Sequence, residues 1–189
     1  MEKNHFTLLD ETLFENRIIQ LSGPINADNA KKINKALLAM DAINPKSPIY
    51  LYINSPGGEV SSGFSIFDTA RYVSPKVITI VCGLAASAGS LIALCAKKED
   101  RYALPNSKFL IHQPLISGMI RGSASELEIH ANDIVKVKRK INEIYSTECN
   151  QPMEVVEKAT DRDNWMTPEE AKEFGLIKKI IGHHSEIDK

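Results

Sequence analysis

The stretch Val77–Ala96, VITIVCGLAASAGSLIALCA, decides how the rest of the chain is read. It opens on Val77, Ile78, Thr79, Ile80 and Val81, β-branched residues that suit a strand buried on both faces, as in a parallel sheet under helices. Gly83, three alanines and Gly89 then surround one hydroxyl, Ser87. Leu91, Ile92, Ala93, Leu94 and Ala96 continue as a buried helix. Ser87 therefore falls at a strand-to-helix turn whose neighbours have almost no side chain. Small neighbours admit a substrate carbonyl, and free N–H groups at a helix start can bind a developing oxyanion. Ala85-Ala86-Ser87-Ala88-Gly89 follows the G-x-S-x-G nucleophile elbow with Ala at the first Gly. Taken alone, the same run also fits close helix packing.

Upstream, Arg17–Leu21 is expected as a strand ended by Gly23-Pro24. Asn26 or Asp28 caps a helix whose apolar positions, Ala30, Ile33, Leu37 and Met40, share one face. Pro45 and Pro48 punctuate its exit. Ile49–Ile53 is a strand, Asn54–Gly58 a turn, and Val60, Phe64, Phe67 and Arg71 a second helical stripe. Residues 1–16 hold no firm element. The alternation of strand and helix through residue 96 is that of parallel βαβ units. Downstream come strands at Tyr102–Leu104 and Lys108–Ile111, then a loop over 113–123. Ala124–Cys149 is a long helix with Leu127, Ile134, Val137, Ile141 and Ile144 apolar. At about 1.5 Å per residue it spans roughly 40 Å, long for so small a domain, so it is expected to project and pair with another subunit. A helix over Met153–Ala159 follows. Thr167-Pro168-Glu169-Glu170 is a capping box with Pro at the first helical position. Gly175 stops that helix, and Leu176–Ile181 is a last strand. The expected organisation is a short segment over 1–16 and one α/β domain over 17–189.

Composition narrows the function. The 189 residues carry a formal net charge of −1, so nothing draws the whole chain to nucleic acid or an anionic membrane. The apolar run Val77–Ala96 is interrupted by Gly83, Ser87, Gly89 and Ser90, which argues against a membrane span. The N-terminus is acidic and lacks an apolar signal core, so a cytoplasmic location is expected. Cys82, Cys95 and Cys149 are too widely spaced for a disulfide framework or zinc site, and buried free thiols are the default. No metal or cofactor is expected. No G-x-x-x-x-G-K-[ST] phosphate loop is present, so ATP is not bound by that device.

A serine nucleophile needs a base, and histidine is the usual one at neutral pH. His5 precedes the first strand, His183 and His184 lie in the polar tail, and His130 sits within the long helix. His112 follows directly on an apolar strand, and sites of α/β sheets gather at the carboxyl ends of strands. The orienting carboxylate would be Asp161 or Asp163, in the turn before the capped helix; either could instead be a turn or capping residue. Ala88 N–H supplies one oxyanion donor, and the Gly57-Gly58 turn could supply another. The chain order Ser, His, Asp disfavours the α/β-hydrolases, which run Ser, Asp, His.

Five collinear motifs carry a family resemblance: YLYINSPGG at 50–58, GLAASAGS at 83–90, LPNSKFLIHQP at 104–114, EIHANDIVKVKRKINEIY at 128–145 and DRDNWMTPEEAKEFGLI at 161–177. Over roughly residues 14–181 the chain resembles the proteolytic subunits of the Clp protease (ClpP), within the crotonase-like superfamily. The resemblance implies Ser87 as nucleophile, His112 as general base, Asp163 rather than Asp161 as third triad member, and Gly58 and Ala88 as oxyanion donors. It implies a crotonase/ClpP-like fold of repeated βαβ units with a projecting handle, strand plus long helix, over about 113–149. It further implies heptameric rings stacked as a tetradecamer, a hexameric AAA+ unfoldase as ATP-consuming partner, unfolded proteins as substrates, and Tyr52 and Tyr72 in a docking cleft for that unfoldase.

Two departures stand out. The family carries a longer N-terminal segment that forms axial loops, and the Leu115–Gly122 loop is longer here, without the family's Gly-Gly turn. These make a second paralogous subunit, or altered activity, plausible. Two other functions compete with an active endopeptidase: a weakly active or non-catalytic subunit of a mixed ring, and an acyl-CoA enzyme of the crotonase superfamily.

Overall fold

Alternating strands and helices fill the first half of the chain, as the hydrophobic pattern predicts. The structure is a computed structural model that describes residues 5–115 and 121–187. Helix α1 (His5–Glu15) leads into β1 (Ile18–Ser22), α2 (Ala27–Ile43), β2 (Ile49–Ser55), α3 (Val60–Tyr72), β3 (Val77–Ala86) and α4 (Ala88–Ala93). There follow β4 (Arg101–Ala103), β5 (Lys108–Ile111), α5 (Ala124–Cys149), α6 (Met153–Thr160), β6 (Asn164–Met166), α7 (Pro168–Phe174) and β7 (Lys179–Ile180).

Helix α1 is a correction, since residues 1–16 were expected to hold no element. Its Leu8, Leu9 and Phe14 stay exposed, so these positions announce no buried apolar face. Of the two candidate caps for α2, Asn26 is the one used: its side chain accepts from Asn29 N–H at 2.9 Å. Thr167 and Glu170 form the expected capping box, and Gly175 ends α7 in the left-handed region at φ 100°. The last strand is shorter than Leu176–Ile181: Leu176 and Ile177 are buried as core rather than paired.

The seven-stranded sheet runs β1-β2-β3-β4-β7, all parallel, with β5 added beside β3 and β6 beside β5. Leu51, Ile53, Val77 and Val81 face the main core with Ile33, Leu37, Ile66 and Phe67 of α2 and α3. Tyr50, Tyr52, Ile78, Ile80 and Tyr102 form a smaller cluster on the opposite face. Both faces of β3 are thus covered, as its unbroken β-branched run requires.

Helix α5 is capped by Ser123 and Glu126 and ends at Asn150 in the left-handed region. Ile141, Tyr145 and Cys149 in its second half are buried, whereas Leu127, Ile129 and Val135 in its first half are exposed. It therefore packs by one end and projects by the other. The handle strand expected before it is not present at 112–115 or 121–123, and residues 116–120 lie outside the described residues. Among the described residues no helix is long and apolar enough to cross a membrane.

One charged side chain is wholly inside. Arg101 on β4 is 0 % exposed. It donates to the carbonyls of Ala96 (2.8 Å), Leu94 (3.2 Å) and Glu148 (2.8 Å), and it pairs with the Glu148 carboxylate. Glu148 also pairs with Arg71 of α3, so this set ties the end of α5 to α3 and β4. Arg101→Met leaves those acceptors without their donor in a dry site. We expect a loss of about 3–5 kcal/mol in unfolding free energy, measured by urea denaturation; a loss below about 1 kcal/mol would mean the carbonyls find other donors.

Candidate active site

Strand β3 serves two neighbours in succession, and this brings the site together. Its first half, Thr79–Val81, pairs with β4; its second half, Leu84–Ala86, pairs with β5. Gly83 lies between them at φ 133°, where a Cβ would stand 2.7 Å from Asn54 Oδ1. The Asn54 side chain in turn accepts from Leu84 N–H at 3.1 Å. A side chain at 83 would block this bend, so glycine is required there. The bend lays the end of β3 beside the end of β5: Ala86 sits opposite Leu110, and Ser87 N–H donates to Leu110 O at 2.9 Å. Ser87 and His112 are neighbours for that reason.

Ser87 has φ 56° and ψ −123°. For a residue with a Cβ this is a sparsely populated conformation, costing about 1–3 kcal/mol, and it persists only where the surroundings over-determine it. Gly57 is one such constraint. At φ 90°, a Cβ on it would meet Ala86 O at 2.6 Å and Ser87 Cβ at 2.7 Å. The 55–58 turn therefore lies directly against the serine elbow, held by Ile25 N–H donating to Gly57 O and Gly57 N–H donating to Ser55 Oγ. Among the described residues, the N–H groups of Gly58 and Ala88 donate no hydrogen bond. Two unoccupied donors on adjoining turns are what an oxyanion hole needs.

The third element is β6, which the sequence did not reveal. It pairs antiparallel with β5, Ile111 opposite Asn164. One step further along the same register puts Asp163 beside His112, and His112 Nδ1 lies 3.2 Å from Asp163 Oδ1. Asp161 ends α6, and its carboxylate faces Arg162 at 3.8 Å instead. Gln113 fastens the two segments: its N–H donates to Thr160 O and its Nε2 to Asp161 O, both at 2.7 Å. Ser87, Ala88 and His112 line one small cavity, walled by Val60, Leu91 and Pro114. Among the described residues, Ser87 and His112 share this cavity without a hydrogen bond between their side chains.

A protein-family model described as Clp protease matches residues 2–184, nearly the whole chain. The chain belongs to the Clp protease family. Its bent parallel sheet with a projecting helix is the ClpP fold, and it is a peptidase of the ClpP type. Members of the Clp protease family form oligomeric rings.

The remaining expectations fall in different places. Tyr52 and Tyr72 are not brought together in the single ClpP-type chain. Tyr72 is 81 % exposed at the end of α3, whereas Tyr52 is half-buried on the opposite face of the sheet. The three cysteines are free. Burial pushes the Cys95 and Cys149 thiols up to about 12, so neither supplies a thiolate near neutral pH. Cys82 is only partly buried, a departure from the expectation of three buried thiols. A cavity of about 690 Å³ lies away from Ser87, beside Arg71, Lys76, Asp100 and Glu148. Its Arg71–Glu148 and Lys76–Asp100 pairs satisfy one another, so it is a seam of ion pairs rather than a peptide site. Sequence reading missed Ser90 and Tyr145, which stand behind the elbow. Their signals were a second hydroxyl in the small-residue run and a phenol four residues after Ile141 on the buried stripe of α5.

Proposed function

We propose that the chain is a serine endopeptidase subunit that cleaves unfolded polypeptides inside an assembled chamber. Ser87 is the nucleophile, His112 the general base and Asp163 the carboxylate that orients it. The observation that carries this is the shared cavity of Ser87 and His112, with His112 Nδ1 turned to Asp163 at 3.2 Å. That contact leaves Nε2 for the serine.

In the first step Ser87 Oγ attacks the scissile carbonyl while His112 takes its proton. The oxyanion is received by the N–H groups of Gly58 and Ala88. His112 then gives the proton to the departing amine, leaving an acyl-enzyme. Water, deprotonated by His112, attacks the acyl carbon, and Ser87 Oγ leaves with the proton returned to it. Asp163 stays ionised throughout and stabilises the imidazolium.

The exposed apolar residues on the first half of α5 suit burial against another subunit, and the assembly proposed from the family resemblance is heptameric rings stacked as a tetradecamer. Since the chain has no phosphate loop, the ATP-driven step belongs to a separate AAA+ unfoldase, docked near Tyr52 and Tyr72, in the cytoplasm. A second reading, a subunit that becomes active only in a mixed ring with a paralogue, is favoured by the Asp163 side chain, which is 64 % exposed in the single chain.

The test is gel filtration with light scattering, joined to cleavage of a fluorogenic peptide, with and without a paralogous subunit. An oligomer of this chain alone that cleaves the peptide supports the first reading. Activity only after mixing supports the second. A fully assembled particle inactive in both conditions overturns the triad.

A further inference from the structure

Behind the serine elbow lies a buried pair of hydroxyls that the triad does not use. Ser90, 0 % exposed, places its Oγ 2.6 Å from Ser87 O, 3.0 Å from Leu110 O and 2.7 Å from the Tyr145 hydroxyl. A serine has one hydroxyl proton, and carbonyl oxygens only accept. The Ser90 proton is therefore directed at Ser87 O and Leu110 O, and Tyr145 is the donor to Ser90. Burial raises the pKa of the Tyr145 phenol, so it keeps its proton.

The carbonyl at the end of this relay matters. The Ser87–Ala88 peptide is planar, so fixing Ser87 O fixes the direction of Ala88 N–H, which points the opposite way. Ser87 O is held by Ser90 Oγ, by Ser90 N–H at 3.0 Å and by Leu91 N–H at 3.2 Å. Leu110 O, the relay's other acceptor, holds Ser87 N–H. Both peptide planes flanking the nucleophile are thus anchored on one hydroxyl, and that hydroxyl is anchored on α5. The same helix face carries Asn142, which accepts from Thr160 Oγ1 at 3.0 Å, and Lys138, which donates to Gln113 Oε1 at 3.0 Å. These touch the segments next to Asp163 and His112.

We infer that Tyr145 is a positioning residue: through Ser90 it aims the Ala88 N–H at the oxyanion and ties the geometry of the hole to the seating of α5. The inference rests on Ser87 being the nucleophile.

The experiment compares Tyr145→Phe, Ser90→Ala and the double variant in the assembled full-length particle, well below each variant's Tm. It measures kcat, KM and inhibition by a peptide boronic acid, which forms a tetrahedral adduct. Misaimed donors act on the transition state and not on ground-state binding. We therefore expect kcat to fall roughly ten- to a hundredfold in Tyr145→Phe with KM nearly unchanged, and boronate affinity to fall by the same factor. The double variant should be no worse than the worse single one, because both cut one relay. Ser90→Ala reads the same effect should Tyr145→Phe not assemble. An unchanged kcat, an unchanged boronate affinity, multiplying effects in the double variant, or loss of assembly in both single variants would each overturn the inference. Cleavage that survives Ser87→Ala would instead overturn the nucleophile assignment on which it rests.

Discussion

Ser87→Ala is expected to lower peptide cleavage by roughly four to six orders of magnitude while leaving the particle assembled. The chemical loss is large because no other group lining the cavity replaces it: Val60, Leu91, Pro114 and Ile141 carry no nucleophile, Ala88 contributes only its backbone, and the Tyr145 hydroxyl is engaged with Ser90 and kept protonated by burial. The structural cost is small because the serine hydroxyl makes no capping bond at the start of α4. The unusual φ of 56° is enforced by Gly57 and by the hydrogen bonds of the Ser87 backbone, which alanine keeps. Labelling with a fluorophosphonate, read by intact mass, checks this beside the kinetic assay. One adduct on the native chain and none on the variant is the expected result. An adduct that persists in the variant would place the reactive hydroxyl elsewhere.

The second large effect separates two aspartates. Asp163→Asn is expected to reduce kcat by roughly two to four orders of magnitude, and Asp161→Asn to leave it within about threefold. Asparagine at 163 preserves shape but can offer its NH2 to Nδ1, which stabilises the wrong imidazole tautomer and cannot stabilise imidazolium. The range is wide because the Asp163 side chain is 64 % exposed in the single chain, and water weakens its hold on His112. Burial of Asp163 by another subunit would move the effect toward the upper end. The Asp161 carboxylate faces Arg162 at the surface, so its loss reaches His112 only through the backbone. Steady-state kinetics on both variants at fixed assembly state decides the matter; equal losses would mean that the carboxylates exchange roles.

Much of this arrangement was legible in the residues. The β-branched run of Val77–Val81 marked a doubly covered strand, and the covered β3 follows from it. The small residues around Ser87 marked a place where chains approach closely, and Gly57 and Gly63 do approach the elbow. The ends of α5 were readable because capping is local: Ser123 and Glu126 are three residues apart and need no partner beyond themselves. Helix α1 was not readable, because Leu8, Leu9 and Phe14 are not gathered into a buried face. Strand β6 was not readable either. Three residues, Asn164–Met166, are too short for a period-two pattern, and their pairing partner lies more than fifty positions away.

Residue identity by itself determined which groups are available for chemistry: a serine among small neighbours, a histidine closing an apolar strand, and two aspartates in one turn. It determined the alternation that builds a parallel sheet, and the excess length that makes α5 project. Residue types and spacing left Asp161 and Asp163 open; the family resemblance pointed to Asp163, and the physical reason that Asp163 meets His112, the antiparallel register of β5 and β6, is visible only in the tertiary structure. The tertiary structure also decided that Ser90 and Tyr145 stand behind Ser87, since a hydroxyl's partners are set by which backbones converge on it. Local interactions act over a few residues and leave a pattern in the chain. Register and convergence act across a bend such as the one at Gly83, where the sequence shows only that a bend is permitted.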